Sequence, residues 1–136
     1  MAAELILVDI ATVRPVRVAE ALDERHPADD HERASHFAAK KGKQVLGVVS
    51  IVPDMRGKSG ERWRMVGLAV DPESRGAGLG AMLVRAACAI AANRGGGLWC
   101  TAEGDAAEYL EKRAFVREGD ALVATLEAPP PSEDDD

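Results

Sequence analysis

The stretch Arg75-Gly76-Ala77-Gly78-Leu79-Gly80-Ala81 constrains this chain more than any other. It follows an apolar run, Met65 to Val70, and a short polar link, Asp71-Pro72-Glu73-Ser74. It opens into a segment, Met82 to Ala92, whose apolar residues recur at helical spacing. The local reading is strand, glycine loop, helix. Glycines 76, 78 and 80 leave main-chain N–H groups unshielded by side chains. The first turn of a helix adds unpaired donors and the positive end of the peptide dipoles. Arg75 adds a permanent positive charge. A phosphate or diphosphate suits such a place.

Two nucleotide motifs fit parts of these letters. Gly76 to Ala81 matches G-x-G-x-x-A, the dinucleotide fingerprint, and Glu103 follows after another apolar run. In that motif, however, the first glycine closes the strand, and here Asp71 to Arg75 intervene. Only 33 residues follow Glu103, too few for another half-domain. An NAD-binding enzyme is therefore disfavoured. Gly57-Lys58-Ser59 has the ending of a nucleotide P-loop, but Val52 stands where its first glycine belongs.

Composition narrows the class. At 136 residues, 46% apolar and 29% charged, the chain reads as one globular domain, residues 1–128. Pro129-Pro130-Pro131 ends regular structure, and an acidic disordered tail is expected over 129–136. The net charge of −6 includes four negatives from Glu133 and Asp134 to Asp136. The lack of a basic excess argues against nucleic acid as a partner. No apolar run approaches the roughly 18 residues that cross a bilayer, so no membrane partner is expected. Met1-Ala2-Ala3-Glu4 lacks a basic start, which predicts no signal peptide and a cytoplasmic protein. Cys88 and Cys100 lie in apolar surroundings and read as buried thiols. His31-Glu32 with His36 misses the zinc spacing H-E-x-x-H by one residue, so no metal site is read.

In chain order, Glu4 to Ile10 reads as a strand, and Thr12 to Leu22 as a partial helix with Pro15 in its first turn. Asp23 to Arg33 is polar. Ser35 to Ala39 and Gln44 to Pro53 read as strands around a Lys41-Gly42-Lys43 turn, with a connection over Met55 to Glu61. Leu79, Met82, Leu83, Ala86 and Ile90 form the apolar stripe of the helix, which Gly95-Gly96-Gly97 ends. Gly97 to Ala102 is the next strand. Asp105 is placed as N-cap of a helix over Ala106 to Arg113. Phe115 to Glu118 and Leu122 to Glu127 would pair through Gly119-Asp120.

A second pattern, R/Q-x-x-G-x-G/A, fits Arg75 to Gly80 in full, behind the strand Val66 to Val70. With the order of elements over roughly 36–119, the chain resembles the GNAT superfamily of acyl-CoA-dependent N-acyltransferases. The resemblance implies an α+β fold whose mixed, mostly antiparallel sheet splays between the strand before the glycine loop and the strand after its helix. It implies acetyl-CoA, or another acyl-CoA, as co-substrate, with no metal. The pantetheine arm would pair with Leu68, Ala69 and Val70. The diphosphate would sit on Arg75, Gly76, Ala77, Gly78, Leu79, Gly80 and Ala81. The acyl group would pass to an amine, held partly by the Asp23 to Arg33 region. Pairing is frequent in this fold, so a homodimer joins the expected partner arrangements.

The chain departs from the family pattern in its catalytic letters. The family's tyrosine, the acid for the departing thiolate, falls on Leu110 when counted back from Phe115. Tyr109 stands one place early, about 100° around a helix; it reads as an aromatic packed beside the cofactor arm or, with the helix re-registered, as the candidate acid. Thr101 replaces a frequent asparagine and still offers a hydroxyl for cofactor binding; Ala114 replaces a glycine. No carboxylate lies within Arg64 to Val70, which leaves the base open among Glu32, Glu61 and a water. A GNAT-like acyl-CoA-binding regulatory module with little turnover is the alternative function.

Overall fold

Alternating apolar runs and one long periodic segment fold into a sheet covered on both faces. The computed structural model describes residues 3–20, 22, 26–54, 61–74, 78–95, 97–102, 104–113 and 115–124, with the backbone alone for 61, 62 and 105. Arg75, Gly76 and Ala77 of the glycine stretch, Gly57-Lys58-Ser59, Glu103, Ala114 and the 129–136 tail lie outside the described residues. In chain order the elements are β1 (Glu4–Val8), α1 (Ile10–Ala19), β2 (Ser35–Lys41), β3 (Gln44–Pro53), β4 (Glu61–Val70), a 3-10 turn (Pro72–Ser74), α2 (Leu79–Arg94), β5 (Gly97–Cys100), α3 (Gly104–Glu111), β6 (Phe115–Glu118) and β7 (Ala121–Ala124). The sheet has seven strands in the order β1-β2-β3-β4-β5-β7-β6. Neighbours are antiparallel except β4 and β5, which run parallel through the α2 crossover. This is the mixed, mostly antiparallel α+β arrangement that the family resemblance implies.

Each face carries a helix. On one, Val13 of α1 packs with Ala38, Val48 and Ala69. On the other, Leu79, Leu83, Val84, Ala87 and Ala91 of α2 pack with Phe37, Val49, Ile51 and Leu98. Ala107 and Leu110 of α3 extend that second core. The α2 stripe is rotated from the predicted one: Ala87, Cys88 and Ala91 are buried, while Met82, Ala86 and Ile90 are half-buried. The reason is close approach. A Cβ at Gly47 would stand 3.0 Å from Leu83 Cδ1, so the helix lies near the sheet and presents its small residues there.

Three boundaries differ from the sequence reading in ways that matter. Asp9 caps α1, accepting from Thr12 N at 3.1 Å, so the helix starts at Ile10 and Pro15 sits inside it rather than in its first turn. β5 stops at Cys100, so Thr101 and Ala102 leave the strand. α3 starts at Gly104, which places Asp105 within the helix rather than at its cap.

Strand β4 holds the decisive irregularity. Val48 pairs with Ala69 and Ser50 with Val66, so Gly67 and Leu68 together oppose Val49. This is a β-bulge, and Gly67 occupies it at φ +65°, a conformation that other residues adopt at a cost. The extra residue reverses the alternation of faces. Before it, Trp63 and Met65 point to the α2 core; after it, Leu68 and Val70 pack there and Ala69 turns to α1.

Candidate active site

Strands β4 and β5 meet only at their beginnings. The pairs are Glu61↔Gly97, Trp63↔Leu98 and Arg64↔Trp99. Beyond Arg64, β4 runs on to Val70 without β5, which turns to β7 through Trp99↔Val123 and Cys100↔Leu122. A sheet that opens in its middle exposes main-chain donors and acceptors along Met65 to Val70. A cavity of about 450 Å³ fills the opening. Met65, Val66, Gly67 and Leu68 line one wall, Cys100, Thr101 and Ala102 the other. Ala106, Tyr109 and Leu110 of α3 close one end, and Arg17, Leu22 and His26 lie toward α1.

The helix after the opening begins without a side-chain cap. Gly78 is its N-cap, at φ 77° and ψ 9°. The amides of the first turn are thus left for another acceptor. Leu79 and Ala81 are buried, while Gly80 is half-buried. Gly80 is crossed by Tyr109: a Cβ there would stand 2.5 Å from the tyrosine hydroxyl and 3.2 Å from Cζ. Arg113 stacks on Tyr109, its guanidinium 4.0 Å from the ring centroid. Tyr109 and Leu110 line the same cavity, so the one-residue offset does not exclude the tyrosine from it.

The structure brings Leu68, Thr101 and Tyr109 to the cavity. Ala69 is buried against α1 and Val70 packs on the α2 core, and neither lines the cavity. Thr101 Oγ1 accepts from Arg64 Nη2 at 3.2 Å; Arg64 Nη1 reaches Asp54 Oδ2 at 3.4 Å, and the guanidinium lies 4.7 Å from the Trp99 centroid. Glu32 is exposed and does not line the cavity, and the Glu61 side chain lies outside the described residues. Burial pushes the Cys100 thiol up to about 12, with Arg64 opposing and Cys88 adding, and burial takes Cys88 to about 11. Both stay protonated at neutral pH and are poor nucleophiles.

Sequence reading missed the polar group behind the bulge. Arg17 is 1% exposed and forks onto Asp29, with Nη1 to Oδ2 at 2.8 Å and Nη2 to Oδ1 at 3.2 Å. Nη2 also donates to Ser50 Oγ at 2.8 Å. His36 approaches the same oxygen with Nδ1 at 2.6 Å and the Asp29 carbonyl with Nε2 at 3.1 Å. A carbonyl only accepts, so Nε2 carries the proton and Nδ1 accepts from the Ser50 hydroxyl. Burial lowers His36 below the usual histidine range, against the pull of Asp29. Burial would raise Asp29, but the Arg17 fork and the His26 N–H, at 2.7 Å, hold its carboxyl below the usual range. His26 itself accepts from Ala28 N through Nδ1 at 3.1 Å. The available signal was a set of polar letters in apolar registers: Arg17 four residues after Val13, and Ser50 amid Val48, Val49, Ile51 and Val52.

Comparison with known proteins agrees with this geometry. The family model described as the Acetyltransferase (GNAT) family matches residues 7–115. Among solved structures, the chain resembles a GNAT family N-acetyltransferase, YhbS, from Escherichia coli in complex with CoA, at 20% identity and a TM-score of 0.68, over 93% of this chain and 82% of that one. It also resembles an acyl-CoA N-acyltransferase from Pseudomonas aeruginosa, at 16% identity and 0.67, over 90% and 97%. A GNAT family acetyltransferase from Staphylococcus aureus aligns at 10% identity and 0.66, over 92% and 99%. At these identities the likeness is one of fold. No match is found among the curated proteins.

Proposed function

Because this chain belongs to the GNAT acetyltransferase family, we propose that it moves an acetyl group from acetyl-CoA to a primary amine by direct attack. The single observation that carries the reading is the opening between β4 and β5 beyond Arg64, with the uncapped start of α2 beside it. The unpaired edge of Met65 to Val70 suits the amide-bearing pantetheine arm, which would add to the sheet as a strand does. Amides from Gly78 to Ala81, with Arg75 three residues earlier in the sequence, suit the diphosphate. A main-chain N–H of Leu68 to Val70 would polarise the thioester carbonyl. One such donor contributes about 3 kcal/mol in other acyl-transfer sites.

The cavity chemistry favours direct transfer. A covalent acyl-cysteine route needs a thiolate, and Cys100 holds its proton to about 12. The amine nitrogen would attack the thioester carbon, the C–S bond would break, and the thiolate would take a proton. Tyr109 is the candidate donor of that proton. Glu32 does not line the cavity, and the carrier of the amine proton is Glu61 or a water. Leu110, 4% exposed at the family's usual tyrosine place, favours the second reading, a coenzyme-binding module with little turnover.

Saturating acetyl-CoA is expected to raise the melting temperature; at a hundred times the Kd the stabilisation is about 2.7 kcal/mol. Arg75→Glu should abolish the shift. An unchanged melting curve at millimolar acetyl-CoA removes the basis for the reading. Thiol release from acetyl-CoA over a panel of amines then separates enzyme from binding module. Tyr109→Phe should slow that release by roughly ten- to a hundredfold if its hydroxyl is the acid.

A further inference from the structure

We propose that Arg17 is a positioning residue for acyl transfer: it wedges the Gly67 bulge from the α1 face and so fixes where the amides of Leu68 to Val70 stand along the open edge of β4. The inference rests on the acetyl-transfer reading above.

The contact is direct. A Cβ on Gly67 would run into Arg17 Nε, and would lie 3.0 Å from Cζ and 3.1 Å from Nη2. The guanidinium therefore occupies the place where a side chain at 67 would be. Gly67 answers two demands at once, its φ of +65° and the space for Arg17. Arg17 also lines the cavity.

The wedge is held from several sides. Arg17 belongs to α1, Asp29 to the turn before β2, and Ser50 to β3. Ser50 pairs with Val66, the residue immediately before the bulge. The proton order runs one way: Arg17 Nη2 donates to Ser50 Oγ, Ser50 donates to His36 Nδ1, and His36 Nε2 donates to the Asp29 carbonyl. Asp29 and Ser50 together hold the fork in one plane against the bulge. A lysine nitrogen cannot fork onto a carboxylate and also fill that plane.

The test compares the parent protein with Arg17→Lys and Ser50→Ala, well below their melting midpoints. Three readouts are taken: acetyl-CoA binding by calorimetry, steady-state acetyl transfer, and amide hydrogen exchange. Both variants are expected to hold acetyl-CoA more weakly than the parent, because the same edge of β4 grips the pantetheine arm. Their kcat should fall by about a hundredfold, the scale on which displacing a reacting group by an ångström acts. Exchange should accelerate at Leu68 to Val70 and stay parental in β2. A variant that melts lower yet keeps the parental kcat and parental exchange at Leu68 to Val70 overturns the proposal. Ser50→Ala leaves the ion pair intact, so the question is still answered if Arg17→Lys does not fold. Should the parent fail to bind acetyl-CoA, the acetyl-transfer reading falls, while exchange at Leu68 to Val70 still decides whether Arg17 holds the bulge.

Discussion

At Gly80 one methyl group would meet the Tyr109 hydroxyl 2.5 Å away. Gly80→Ala should therefore destabilise the protein by about 1–3 kcal/mol, the usual range for overpacking, read from the urea midpoint. In a Tyr109→Phe background the loss should shrink, because the nearest obstacle becomes Cζ at 3.2 Å. Strict additivity of the two changes would mean that the contact is not felt. The glycine was legible in the sequence as part of a phosphate-binding pattern. Its second role was not, because the partner is 29 residues away and nothing local to either position announces it. Arg17, Ser50 and His36 belong to the same class. Each is conspicuous as a polar letter in an apolar register, but which of them meet depends on how α1 lies across β2, β3 and β4.

Elements are coupled by that buried group, and the coupling is pH-dependent. His36 faces Ser50 on β3, Asp29 and Asp30 from the preceding turn, and Arg17 from α1. Its folded-state pKa lies below the ordinary 6.5, chiefly through burial. The unfolded chain therefore binds a proton more readily than the folded one. Stability contributed here is complete above 6.5 and is lost as pH falls through the folded value. Asp29 acts with the same sign further down, below its ordinary 3.8. The urea midpoint should fall between about pH 7 and about pH 5, and His36→Gln should flatten that slope. An unchanged slope in the variant would assign the dependence elsewhere. Element types and order were readable from periodicity, and Gln44–Pro53 matches its predicted limits. The bulge was half-readable: Trp63 and Met65 followed by Leu68 and Val70 switch parity at a glycine. The early end of β5 was not, since Thr101 and Ala102 suit a strand and leave it only because β4 has diverged.

At the scale of the whole molecule, the outer strand β1 leaves apolar side chains uncovered. Leu5 and Ile6 are 36% exposed and Leu7 67%, on a strand with one neighbour. Such edges invite pairing between chains. Leu7→Lys should leave the urea midpoint within about 0.5 kcal/mol of the parent while lowering any self-association seen by sedimentation. A large loss of stability would place Leu7 in the core instead. Among the described residues no helix is long and apolar enough to cross a membrane. The seam between β4 and β5 has a mechanical meaning as well. Among the described residues, the half that carries β5, β7 and β6 is joined to the rest by three strand pairs, by α2, which lies over both sides, and by side-chain bonds from Arg64 to Thr101 and from Trp99 to the Asp54 carbonyl. Whatever lodges in the gap thus acts as a splint, and its departure loosens a joint that its arrival had set.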